Sequence, residues 1–189
     1  MNREEEIRRD VEAVRALRHG DQSAFRGLVD RYQQRVYATM FRMVRRAADA
    51  EDLTQQAFLE AYSALDRFDP TRSFLTWILR IAVNNGRDYL KSYKRREVPA
   101  EAAPEGVQAM HAGQILGPED EAIRRRRLRR LETALGALDE KYRTPLILKD
   151  IEGLAYHEIQ QVLDLPLTTL KIRVVRAREK LRKEIANEN

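Results

Sequence analysis

Apolar residues return at every third or fourth position along almost the whole of this 189-residue chain, and nowhere do they alternate between hairpin turn signals. A period near 3.6 gathers such residues into one stripe of a helix, whereas a half-buried strand needs a period of two. The pattern predicts an all-α protein, with helices over about 4–18, 22–45, 50–66, 73–95, 120–137, 142–151, 155–163 and 168–185. Several ends have chemical causes. Gly20 follows the first helix, Asp49 with Asp52 three residues on can cap the third, and Ser73 can cap the fourth after "FDPTR".

One stretch breaks the pattern. Between Glu97 and Gly117, Pro99, Pro104, Gly106, Gly113 and Gly117 interrupt any helix, and from Glu97 to Glu121 there are six acids without a lysine or arginine. Residues 97–117 therefore read as a flexible acidic linker between two small helical domains, 1–96 and 118–189.

The charge is unevenly spread. A net charge of +5 and a pI near 9.6 point to a polyanionic partner. Residues 167–183 alone hold seven cations against the single Glu179, a net +6. Within that helix Leu170, Val174, Ala177, Leu181 and Ile185 form the stripe that packs. Before it come a short amphipathic helix bearing Ile159, Val162 and Leu163 and a break at Asp164 to Pro166. Helix, tight turn and cationic second helix make a helix-turn-helix, whose second helix enters the major groove N-terminus first. Thr168, Thr169, Lys171 and Arg173 then face base edges, and Arg176 and Arg178 face phosphate. A plain solvated surface helix is the alternative, and it would be expected to mix its signs.

A second cationic segment, "SFLTWILRIAVNNGRDYLKSYKRR", sets Arg80, Arg87, Lys91, Lys94, Arg95 and Arg96 against Asp88 alone. Trp77, Tyr89 and Tyr93 interleave with the paired amides Asn84 and Asn85, a type of surface that holds single-stranded nucleic acid. Trp77 and Phe74 fit the core better than a stacking platform, because they share a face with Ile78, Ile81 and Ala82. Just upstream, "DAEDLTQQAFLEAYSAL" carries Asp49, Glu51, Asp52 and Glu60 and no cation, so DNA would repel it and a protein or solvent must face it.

Other chemistries find no residues. Cysteine is absent, which removes disulfides and thiolate sites. "HEIQQ" opens like a zinc-protease helix, but the required second histidine is Gln161, and His19, His111 and His157 are scattered. Neither a Gly-rich phosphate loop nor a nucleophile elbow occurs. No metal, no cofactor and no enzymatic activity is expected. "MNREEEIRRD" lacks the apolar core of a signal peptide, and no apolar run nears the ~18 residues a membrane helix needs. A cytoplasmic protein without membrane insertion is the expectation.

Taken in order, "DQSAFRGLVDRYQQRVY", "AEDLTQQAFLEAYSALDRFDPTRSFLTWILRIAVNN" and "YHEIQQVLDLPLTTLKIRVVRAREKLR" resemble the extracytoplasmic-function (group IV) sigma factors of the bacterial sigma-70 family. The resemblance implies region 2 in the first domain, binding the beta-prime clamp helices of core RNA polymerase and melting the minus-10 element. Region 4 in the second would read the minus-35 element and touch the beta flap. It implies polymerase docking by Asp49, Asp52, Gln55 and Gln56. Minus-10 contacts would come from the Asp66 to Phe74 loop, with Asp66, Arg67, Phe68, Arg72 and Ser73, and from Asn84, Asn85, Arg87 and Lys91. Minus-35 contacts would come from Thr168, Thr169, Lys171, Arg173, Arg176 and Arg178. An anti-sigma factor is a further implied partner beside promoter DNA, and the acidic linker would thread the polymerase's RNA path. Asp164 stands where a glycine is usual, and Gln160, Thr168, Leu170 and Ile172 also depart from common residues, so a familiar minus-35 sequence does not follow.

Two other readings fit the residues. A helix-turn-helix regulator with a sensing or dimerising N-terminal domain would bind its operator alone on two half-sites. A general RNA-binding protein would show no duplex preference.

Overall fold

The computed structural model describes residues 3–93 and 118–187, and every regular element among them is helical. The expected linker, His111 and the cations Lys94, Arg95 and Arg96 lie outside the described residues, as does the side chain of Tyr93. Helix α1 spans Arg3–Arg18, α2 Ser23–Val44, α3 Ala47–Ser63 and α4 Phe74–Tyr93, with a 3-10 turn at Leu65–Arg67. In the second part α5 spans Pro118–Gly136 and α6 Glu140–Leu146, which runs on as a π-helical turn at Ile147–Ile151. Helices α7, Tyr156–Leu163, and α8, Leu167–Asn187, complete the chain.

Helices α1 to α4 pack around a core in which Leu28, Tyr32, Val36, Met40, Phe41, Met43, Phe74, Ile78 and Leu79 are essentially solvent-free. Ser73 caps α4 as its position suggests, its Oγ accepting from Thr76 N–H at 3.4 Å. The third helix differs from expectation. It starts at Ala47 without a side-chain cap, and Asp49 lies inside the first turn, where a carboxylate favours the positive helix end. Pro145 sits inside α6, where it cannot donate a backbone hydrogen bond, and the helix runs on into the π turn, in which Glu152 N–H reaches Ile147 O at 2.9 Å.

The apolar residues of the second part divide between two clusters. A small cluster of Leu135, Leu138, Leu146, Val174 and Ala177 belongs to the second part alone. Ile147, Leu148, Leu154, Ile159, Val162, Leu163 and Leu170 instead join the core of the first. About 70 residues enclose too little volume to bury all their apolar surface, so the surplus packs on the neighbour. Polar groups seal the joint. Glu132, Glu152 and Glu158, all buried, accept from the first part: Arg42 Nε to Glu132 at 2.9 Å, Thr39 Oγ1 and Arg35 Nε to Glu152 at 3.0 and 3.1 Å, and Thr76 Oγ1 to Glu158 at 2.8 Å. In return Arg143 donates to Met43 O at 2.8 Å, and burial pushes its guanidinium down to about 10, still charged at neutral pH. Arg45 takes a left-handed conformation (φ 62°) at the end of α2 and reaches Glu132 O at 2.7 Å. Its guanidinium lies 3.0 Å from where a Cβ on Gly136 would stand, so a larger residue there must displace it.

Candidate nucleic-acid interfaces

Helix α8 buries Leu170, Val174 and Ala177 completely, which fixes the rotation of everything else on it. Thr168, Lys171 and Arg176 are exposed, while Thr169 and Arg173 are half-buried at the edges of the packed stripe. Arg178 is exposed but engaged, its Nε and Nη2 holding both oxygens of Asp150 at 2.8 and 2.6 Å. The turn before α8 closes because Asp164 adopts φ 52° and ψ 51°, the left-handed geometry that glycine usually supplies. Glu158 starts α7 by accepting from Ala155 N–H at 2.8 Å, so one carboxylate both caps the first helix of the motif and binds Thr76.

The loop before α4 is held from below. Arg18 Nη2 donates to the carbonyls of Leu65, Asp66 and Phe68 at 3.0, 3.2 and 2.9 Å. Sequence reasoning missed this arginine, since nothing local to position 18 signals a partner some fifty residues away. Phe68 is buried against Phe74 and Trp77, with ring centroids 5.7 and 5.1 Å apart, so it shapes the loop from inside. Asp69 closes the turn by accepting from Thr71 N–H and Oγ1 at 2.9 and 2.7 Å, which holds its carboxyl below the usual range. Asp66, Arg67 and Arg72 are exposed, and Arg72 lies 3.2 Å from Asp69. A groove of about 450 Å³ separates Thr71, Arg72, Ser73 and Thr76 from His157 and Gln161 of α7.

On α4 the residues of the cationic segment part company. Asn84 is exposed, whereas Asn85 is half-buried and donates to Glu60 Oε1 at 3.1 Å, so the two amides do not form one surface. Tyr89 gives its hydroxyl proton to Asp49 Oδ2 at 2.6 Å. Lys91 pairs with Asp88 at 2.8 Å. Arg87 points to the second part of the chain, reaching Leu163 O at 3.4 Å and Glu140 at 3.8 Å.

The acidic face of α3 presents Asp52, Gln55 and Gln56 to solvent, while Asp49 turns inward to Tyr89 and Arg46. One turn on, Leu59 is 69% exposed, an apolar group that the acidic reading of this helix overlooked although it stands four residues from Gln55. Among the described residues no group of three or more His, Asp or Glu side chains could hold a metal ion. No helix among them is long and apolar enough to cross a membrane.

The chain matches the family model of Sigma-70 region 2 over residues 28–96 and that of Sigma-70, region 4 over residues 128–181. It is 34% identical over 177 residues to the ECF RNA polymerase sigma factor SigW of Bacillus subtilis, covering 91% of this chain and 94% of that protein. It is 33% identical over 180 residues to the ECF RNA polymerase sigma-E factor of Haemophilus influenzae, covering 93% and 95%. Among solved structures, CnrH in complex with the cytosolic domain of CnrY superposes with a TM-score of 0.69 at 26% identity, over 96% of this chain and 99% of that one.

Proposed function

This chain belongs to the extracytoplasmic-function sigma factors of the sigma-70 family, and from that membership we propose how its surfaces divide promoter recognition. As an RNA polymerase sigma factor it directs core polymerase to promoters and starts transcription. The observation that carries the assignment of parts is the separation of charge. Helix α3 offers exposed Asp52, Gln55 and Gln56 with Leu59, a face for a protein, while α8 offers exposed Thr168, Lys171 and Arg176, a face for duplex DNA.

In this reading α3 docks on the beta-prime clamp helices. Asp66, Arg67, Arg72 and Ser73 of the loop, with Asn84, capture an extruded minus-10 base. Extrusion costs a few kcal/mol of stacking, which a prepositioned loop helps to offset because its shape is already held by Arg18 and Asp69. Lys171, Arg173, Thr168 and Thr169 read the minus-35 duplex, and the beta flap contacts region 4. Arg178 reaches a phosphate only by leaving Asp150. The protein acts without chemistry of its own, in the cytoplasm, and an anti-sigma factor holds it in reserve.

The test is reconstituted transcription on a promoter library. Core polymerase with this chain initiates at defined sites, and neither does so alone. A chain that binds palindromic operators as a dimer and leaves core polymerase unchanged would be a regulator instead.

A further inference from the structure

We infer that Ile172 and Val175 of α8 are specificity residues that read the 5-methyl groups of thymines in the minus-35 duplex, an inference that rests on the promoter reading above. Six large hydrophobic residues are exposed among the described ones, and three of them, Leu167 at 37%, Ile172 at 53% and Val175 at 51%, lie on this single helix. An isolated exposed apolar side chain is ordinary on any surface. Ile172 and Val175 are not isolated, because residues three apart on a helix are neighbours, and Thr168 brings its own methyl one turn ahead of Ile172. Together they make a methyl-bearing ridge. The buried stripe of Leu170, Val174 and Ala177 faces the core, so this ridge faces outward.

Its flanks name the occupant. Lys171 and Arg176 are exposed beside it, and within the described residues neither makes an ion pair with its own chain. The surrounding segment carries a net +6. A protein helix seeking an apolar seat would meet repulsion from that field unless strongly acidic, whereas the major groove presents phosphates for the cations and, between them, the one apolar group of the base edges, the thymine methyl. Glu179, one turn beyond Val175, sets the outer limit of the ridge, since a carboxylate is not placed over phosphates. The β-branched shape adds to the selectivity. Ile and Val hold a fixed rotamer in a helix, so their methyl groups are presented without loss of freedom on binding.

The experiment uses holoenzyme assembled from core polymerase and the full chain, with duplexes carrying a promoter selected from the library. Each thymine of the upstream block is replaced in turn by deoxyuridine, which pairs identically and lacks only the methyl. At one or two adjacent positions the wild type should bind about fourfold more weakly per methyl removed, the equivalent of one methyl-sized apolar group left in water. Ile172→Ser and Val175→Ser should bind the thymine and uridine duplexes equally. The wild-type arm needs no variant, so a folding defect cannot obscure the outcome. Promoter-specific binding that is indifferent to uridine at every upstream position would overturn the inference while leaving the sigma reading intact. Holoenzyme that shows no promoter preference on thymine duplexes would overturn that reading itself. Variants that keep the uridine sensitivity but lose binding to a protein inhibitor would give the ridge to a protein and likewise overturn the inference.

Discussion

Single side chains decide the shape of the loop before α4. Arg18, the last residue of α1, spans three carbonyls of the 65–68 backbone. Charged donors on carbonyls are stronger than neutral ones, and the partly exposed site weakens them, so Arg18→Met should cost roughly 1–2 kcal/mol. For a chain of this size that is a fall of about 2–8 °C in Tm, read by thermal denaturation of the full chain. An unchanged Tm would show that Phe68 and the Asp69 turn hold the loop unaided. Residues of this kind mark the limit of what sequence shows. Ser73 was legible as a cap and Asp164 as a left-handed turn residue because their chemistry is local. Arg18 and the inward turn of Asp49 toward Tyr89 were not, because their partners stand 47 and 40 residues away.

At the scale of elements, α3 and α8 were legible as helices with opposite charge, since periodicity and composition both sit within one window. The rotation of α8 was legible too, because Leu170, Val174 and Ala177 of the expected stripe are the buried residues, whereas the inward turn of Asp49 on α3 was not, and rotation sets which charges are available. On α3 Asp52 is exposed together with Glu51 and Glu60, and it lies beside Gln55 and Gln56. Asp52→Lys should weaken binding to core polymerase about tenfold or more and leave Tm nearly unchanged, because a reversed charge acts across an interface rather than in the fold. Equal core affinity, measured by competition with a labelled wild type, would remove α3 from the docking site. On α8 the paired cation is Arg178. Asp150→Ala frees its guanidinium, and the salt dependence of holoenzyme binding to promoter duplex should steepen by about one unit of slope, the mark of one added phosphate contact. An unaltered slope would mean that Arg178 stands too far from the backbone to hold it.

The whole molecule joins what the linker was expected to separate. Nothing local in the sequence marks Glu132, Glu152 and Glu158 as buried. Each is buried and meets a donor from the first domain, and sequence distances of 82 to 117 residues conceal such partners. The closed packing has a functional consequence. A compact chain of this length has a radius of gyration near 16 Å. In the proposed reading the two elements lie about 25 base pairs apart, which at roughly 3.4 Å per pair is ~85 Å along the DNA, so simultaneous reading requires the domains to part. Replacing Thr39 by valine removes the donor to buried Glu152 Oε1, a loss worth about 1–3 kcal/mol. Solution scattering of the free chain should show a larger radius for that variant than for the wild type. A wild type that is already extended would show that the packed arrangement does not persist in solution.

The claim that binds these scales is that one chain reads two promoter elements with two separate surfaces, one on the loop and α4, the other on α8. It is tested most directly by sequencing the DNA transcribed from a randomised promoter library by holoenzyme carrying wild type, Asn84→Ala or Ile172→Ser. The wild type should yield two conserved blocks at a constant spacing. Asn84→Ala should blur only the block nearer the start site, and Ile172→Ser should alter only the upstream one. A single block, a palindrome, or both substitutions changing the same block would show that the two surfaces do not read separate elements.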